Sequence, residues 1–188
     1  MPPKTKITRQ MTADAAYAIV REEGFECLNV RRIAERLGCS TQPVLYTYKN
    51  VEEIRRDVWK MADEFHTEYI MPKENCTENP FLTLGLNYIR FGYEERNLFR
   101  FLFQTNMLGA DMRSIFDSPE LDGIIDILAA VSGQDKQTAR RSFTTFFAVA
   151  HGFASLLANN AIEYDEEQIV ESLGAVFESV MGGSNQQH

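Results

Sequence analysis

Residues 29–50, NVRRIAERLGCSTQPVLYTYKN, limit the fold more than any other stretch of the chain. Val30, Ile33, Ala34 and Leu37 recur at i, i+3, i+4 and i+7, the spacing of one buried helix face. Asn29 is a suitable N-cap and Gly38 a suitable stop. A second short helix opens after Ser40, with Pro43 in its first turn, where a missing N–H costs little. Val44 and Leu45 are expected to look inward, leaving Thr41, Gln42, Tyr46, Thr47 and Lys49 for solvent. Two short helices meeting at a sharp angle need a small residue between them, and Gly38 supplies it. The pattern predicts a helix-turn-helix.

Helical spacing continues nearly everywhere, and strand signals are scarce. The expected elements are helix 1 at 8–23, helix 2 at 30–37, helix 3 from Ser40, helix 4 at 51–70 capped by Asn50, and helix 5 at 80–94. Helix 6 follows at 96–107, helix 7 at 119–132, helix 8 at 135–160 and helix 9 at 165–181. Residues 71–80, MPKENCTENP, bounded by two prolines, read as a linker, and 182–188 as a frayed tail. The fold class is therefore all-α with about nine helices. A helix-turn-helix head occupies 1–50, helix 4 connects, and a helical body occupies 51–188.

The net charge of −8 taken alone argues against a nucleic-acid partner, but its distribution does not. Residues 1–60 carry 11 Lys/Arg against 8 Asp/Glu, and residues 61–188 carry 8 against 19. A cationic head on an acidic body can meet DNA with one end only. The cysteines, Cys27, Cys39 and Cys76, are odd in number and widely spaced, so neither a disulfide framework nor a zinc site is expected. That usage suits a reduced cytoplasmic setting. Cys39 reads either as a small apolar residue or as a redox-sensitive thiol in the turn. The N-terminal MPPKTKITRQ has no apolar run after its cations and is not read as a signal peptide. Residues 142–162 lack Asp, Glu, Lys and Arg, but His151, Asn159, Asn160 and several hydroxyls suit a helix buried in protein rather than lipid. No membrane association, metal or cofactor is expected.

Helix 3 carries the chemistry of base-pair recognition. Gln42 can pair with an adenine edge and the Thr41 methyl can touch a thymine methyl. Tyr46, Tyr48 and Lys49 are expected at phosphates, joined by Lys4 and Lys6 of the N-terminal arm, with packing against helix 4 as the alternative for Tyr46 and Tyr48. A helix 1 ending in Glu-Gly-Phe at 23–25, then Ile33-Ala34-x-x-Leu37-Gly38, then Ser40 and an aromatic-rich helix running into Lys49-Asn50-x-Glu52-Glu53-Ile54, resembles the tetracycline-repressor (TetR) family. The resemblance is carried by residues 8–60. Beyond them it rests on helix count and lengths. It implies a base- or phosphate-contacting role for Arg31, and groove-facing positions for Thr41, Gln42, Tyr46 and Thr47. Two departures are visible. The family's usual Tyr near the end of helix 3 falls on Leu45, with a Tyr one residue later, leaving open which of Leu45 and Tyr46 faces DNA. Its usual Lys at the start of helix 4 falls on Val51, a loss that Lys49 and the arm are placed to offset.

One short recognition helix binds weakly, so pairing of two chains is expected. Ala150, Phe153, Ala154, Leu157 and Ala158 of helix 8, with Ile169, Leu173, Val176, Phe177 and Val180 of helix 9, offer apolar area for a two-fold four-helix interface. The resemblance implies the same homodimer from the last two helices, and a palindromic double-stranded DNA operator. It also implies a small-molecule effector bound in the body and a role in repression. Phe65, Asn87, Tyr88, Phe91, Phe99, Phe103, Gln104, Phe147 and His151 form a mainly aromatic set with a few polar groups, suited to such a pocket or to an ordinary core. Few acids lie among them, which favours an apolar or aromatic effector. His151 shares a stripe with Phe147, as an interior histidine or as a ligand contact. No Gly-rich phosphate loop, G-x-S-x-G elbow or H-E-x-x-H occurs, so no enzyme is expected. The rival reading is a helical protein–protein adaptor whose head no longer binds DNA.

Overall fold

The computed structural model describes residues 6–73, 79–105 and 117–182. Lys4, Cys76 and most of the expected tail lie outside them. The described residues form nine α-helices and no strand: α1 (Arg9–Glu23), α2 (Val30–Arg36), α3 (Thr41–Thr47), α4 (Val51–Ile70), α5 (Pro80–Glu94), α6 (Arg96–Phe103), α7 (Asp122–Ser132), α8 (Lys136–Ala158) and α9 (Glu166–Gly182). Short 3-10 turns cover Phe25–Cys27 and Pro119–Leu121. The expected start of the seventh helix at Pro119 is thus a 3-10 turn, with the α-helix beginning at Asp122. Among the described residues, no helix is long and apolar enough to cross a membrane.

Packing divides the chain into two compact units. The sequence suggested a boundary at 50/51. Packing instead groups α4 through Glu68, and the segment Glu95–Met107 that holds α6, with the helix-turn-helix. The second unit holds Tyr69–Glu94 and Leu108–His188.

In the first unit the ends of the helices are set by local chemistry. Thr8 Oγ1 accepts from the Met11 N–H at 3.2 Å, and Asn29 Oδ1 accepts from the Arg32 N–H at 2.9 Å, each satisfying an otherwise orphaned donor. Asn50 Oδ1 accepts from the Glu53 N–H at 2.9 Å to open α4. Ser40 occupies the cap position of α3, but its side chain makes no capping bond. The turn after α2 closes with Gly38 N–H donating to the Glu35 carbonyl at 3.1 Å and Cys39 N–H to the Ala34 carbonyl at 3.0 Å. This paired bond pattern requires a left-handed residue, and Gly38 adopts φ +64°. The core of this unit comprises Ala16, Ile19, Val20, Ile33, Val44, Ile54, Val58, Leu98 and Phe101, all at most 1% exposed. Phe25 lies against Phe101, ring centroids 6.2 Å apart.

In the second unit α5 lies on α8. Gly92 permits the approach: a Cβ there would meet the Ala154 carbonyl oxygen at 2.8 Å and Ala154 Cα at 2.9 Å. Phe146, Leu157 and Leu173 fill the interior beside Ile89. Ile125, Leu128, Ala139 and Phe143 form a further cluster joining α7 to α8. Asp135 caps α8, accepting from Gln137 N–H at 3.0 Å and Thr138 N–H at 3.1 Å.

Candidate nucleic-acid interface

The helix-turn-helix anchors α3 by one side. Val44 is 1% exposed and Tyr48 2% exposed, and four residues separate them, so both lie over the same buried strip. The other side is open. Thr41, Gln42, Leu45 and Tyr46 are all exposed, Tyr46 at 80% and Leu45 at 47%. Lys49 follows at the end of the helix and is exposed, as is Lys6.

Two sequence expectations, for Leu45 and Thr47, are corrected here, and the alternative left for Tyr48 is decided. Leu45 does not look inward; only Val44 does, because the buried strip is one residue wide on so short a helix. Tyr48 does not stand at the surface. Its hydroxyl donates to Asp57 Oδ2 at 2.8 Å, and Arg9 stacks on its ring with Cζ 4.1 Å from the centroid. Burial, and then the Asp57 carboxylate, push the Tyr48 hydroxyl well above its ordinary pKa, so it stays a donor. Thr47 is half-buried. Its hydroxyl donates to the Val44 carbonyl at 2.7 Å and sits 3.0 Å from Thr12 Oγ1 of α1. Thr47 and Tyr48 therefore seat α3 rather than read DNA. The i, i+4 step from Val44 to Tyr48 carried that signal in the sequence.

Arg9 also bonds Asp57 Oδ2 through Nη2 at 2.9 Å, and Glu53 at 3.5 Å. Burial pushes the Asp57 carboxyl up, but hydrogen bonds from Tyr48 and Arg9 outweigh it and hold the group below its usual range. Sequence reasoning missed this node, which ties α1, α4 and the end of α3 together. The arginines around the motif are paired with acids: Arg36 with Glu22 at 2.6 Å, Arg32 with Glu23 at 2.8 Å, and Arg31 with Glu35 at 3.1 Å. Hydrogen bonds from Arg31, then Arg32, hold Glu35 below its usual pKa. The Arg31 side chain remains 85% exposed, and exposed pairs of this kind are screened by water and contribute little. Arg31 can therefore leave Glu35 for a phosphate at small cost.

The expected pocket residues fall in both units. In the first, Phe99 is fully buried beside Phe103, Phe65 lies under the Arg21 guanidinium, and Gln104 is exposed. In the second, Phe91 is fully buried against Tyr69, and Asn87 donates to the Ile70 carbonyl at 3.2 Å. Tyr88, 3% exposed, shares a 2.9 Å hydrogen bond with His151 Nδ1, and Phe147 lies beside both. Phe91 and Phe99 are fully buried and serve as core residues of their units.

The expected dimer face is also largely corrected. Ala150, Ala154, Leu157, Ala158, Ile169 and Leu173 are each at most 4% exposed within a single chain. They serve their own core. Phe153, Val176, Phe177 and Val180 are half-buried, and Phe177 packs on Phe81 and Phe146. The exposed apolar residues of this region are Leu156, Ile162 and Val170.

No family model matches this chain. An uncharacterized HTH-type transcriptional regulator of Bacillus subtilis (strain 168), YobS, is 25% identical over 191 residues, covering 97% of this chain and 95% of that protein. Among solved structures, a transcriptional regulator from Rhodococcus sp. RHA1 superposes with a TM-score of 0.69 at 15% identity, covering 97% of this chain and all of the other. A TetR-like transcriptional regulator from the same organism gives 0.63 at 17% identity, covering 99% and 100%. A TetR variant from Acinetobacter baumannii AYE, solved with minocycline, gives 0.57 at 18% identity, covering 95% and 96%. With its helix-turn-helix head and its all-α body, this chain has the TetR-like fold, matched over nearly its whole length by helix-turn-helix transcriptional regulators.

Proposed function

We propose that the protein is a DNA-binding transcriptional repressor that acts as a homodimer on a palindromic operator and releases it on binding a small molecule. The observation that carries this reading is the open side of α3. Thr41, Gln42, Leu45 and Tyr46 face solvent, while Val44, Thr47 and Tyr48 fix the helix from behind. A short polar helix held rigidly and left uncovered suits insertion into a major groove. Gln42 supplies a paired donor and acceptor for an adenine edge, and Lys49 a charge for the backbone. Such a regulator works where the DNA is, which makes the cytoplasm its expected location.

Gln42→Ala should therefore relax sequence choice, with about a 5- to 100-fold loss on the best operator and little change on random duplex. Lys49→Ala should weaken all duplexes alike and lower the slope of log affinity against log salt by about one. Electrophoretic shift assays on fragments selected from the source genome read both. An unchanged operator affinity in both variants would mean that α3 is misassigned.

Dimerisation is supported by the exposed apolar groups of α8, α9 and the segment between them. Leu156 and Ile162 line an open depression of about 850 Å³ with Phe153 and Tyr164, and Glu163, Asp165 and Glu166 border it as well. Covering it with a second chain removes apolar surface from water. A Leu156→Glu, Ile162→Glu double variant should sediment at the mass of one chain where the parent sediments at two. A two-chain mass for the double variant would remove this face from the interface. For the effector, support comes from the Tyr88–His151 pair beside Phe147, an aromatic setting with two polar handles, suited to an apolar or aromatic molecule.

A further inference from the structure

The exposed side of α3 has two edges. Gln42 and Tyr46, four residues apart, form a polar one. Thr41 and Leu45, also four apart, form the other, about 100° round the helix at 3.6 residues per turn. Leu45 is the unexpected member. It is 47% exposed and its side chain has no hydrogen-bonding group, while its neighbour Val44 is fully buried. It contributes little to its own core and is costly in water. Beside it stands Thr41, whose side chain ends in a methyl group as well as a hydroxyl. In the major groove, the apolar group a helix meets is the C5-methyl of thymine. Phosphates offer an apolar side chain nothing, and the other base edges offer polar atoms that Leu45 would desolvate without bonding.

We infer that Leu45 is a specificity-determining residue that reads a thymine C5-methyl group in each half-site, with the Thr41 methyl flanking it. This deepens the repressor reading and rests on it. The polar edge of α3 then selects by hydrogen bonds and the apolar edge by methyl contact. The two selections act on different bases because the edges point to different sides of the helix.

The test replaces each thymine of the selected operator, one at a time, with deoxyuridine. That substitution removes the C5-methyl and leaves the hydrogen-bonding edges unchanged. Affinity is measured by fluorescence anisotropy at fixed salt with the full chain. The parent should lose roughly 3- to 10-fold at one thymine or more per half-site, the scale of one or two methylene equivalents removed from water. With Leu45→Ala, the thymine and deoxyuridine duplexes should bind alike at that position, while sensitivity elsewhere persists. Leu45→Met, which keeps the apolar bulk, should retain the discrimination. A flat deoxyuridine scan with the parent protein overturns the proposal without any variant being needed. So does discrimination that survives Leu45→Ala at every position. A parent chain that selects no fragment over random duplex overturns the repressor reading itself, and this proposal with it. Selective binding with a flat scan overturns only the methyl contact.

Discussion

Lowering the pH from about 7 to about 5 should remove about 2 kcal/mol of stability through one side chain, His66. His66 is 8% exposed on α4, with the Phe103 ring edge-on to it at 5.1 Å. Burial lowers its pKa from 6.5 to about 4. In the folded head the imidazole is therefore neutral down to about pH 4, whereas in the unfolded chain it takes up a proton near 6.5. The unfolded state binds more protons between those values, so stability is full above the upper one and declines as pH falls towards the lower. His66→Leu, which keeps an uncharged group of similar bulk, should flatten this part of the profile. Urea unfolding of parent and variant at the two pH values measures the difference. Equal pH sensitivity in the two proteins would show that His66 is not the group being titrated. Asp57 acts lower on the scale. Its depressed pKa contributes stability above the usual carboxylate range that is lost only as pH falls through its folded value, so it leaves the window above pH 5 nearly clear.

Gly92→Ala should destabilise the body by about 2 kcal/mol, although alanine is the better helix former. On an open helix the exchange gains about 1 kcal/mol. At Gly92 the added methyl would stand 2.8 Å from both the Ala154 carbonyl oxygen and the Ala154 Cβ. Two of the nearest atoms belong to backbone, so relief requires α5 and α8 to separate, and overpacking of this sort costs about 1–3 kcal/mol beyond the forfeited gain. Gly92→Val should be worse. Gly123→Ala is the control, because nothing lies within 4 Å of a Cβ there. It should be neutral or slightly stabilising. Thermal unfolding followed by circular dichroism separates the two sites, and a Gly92→Ala protein as stable as the parent would refute the close packing of α5 on α8.

Much of the fold was readable because it depends on neighbours along the chain. The bounds of α1, α2, α4 and α5 follow from apolar stripes, from capping groups such as Asn29 and Asn50, and from Gly38, which ends one helix and permits the turn to the next. The reading side of α3 was legible in part. Thr41, Gln42 and Tyr46 are open, as their chemistry suggested, because a helix with only one anchored strip must leave its polar residues outside. Hydropathy places Leu45 inside and leaves Tyr48 between a phosphate contact and packing against helix 4; the structure leaves the leucine in water and packs the tyrosine on α4. A phenol with a partner for its hydroxyl is readily buried, and here Asp57 supplies one from the next helix.

Apolar content also misled at α8 and α9. Ala154 and Leu173 have the composition of an interface, yet each is fully covered within its own chain. A stripe along a helix tells that something covers it and cannot tell which chain does. The sequence by itself determined the helices, the helix-turn-helix, the cationic head and most helix bounds, though α6 stops at Phe103 and not at 107, since these are matters of spacing within about one or two helical turns. Only the tertiary structure decided which face of each helix is covered, that Arg9 and Asp57 hold Tyr48, and that Leu45 is left in water. Those outcomes depend on residues 9 to 48 positions apart meeting in space, and burial belongs to that meeting and not to any one side chain.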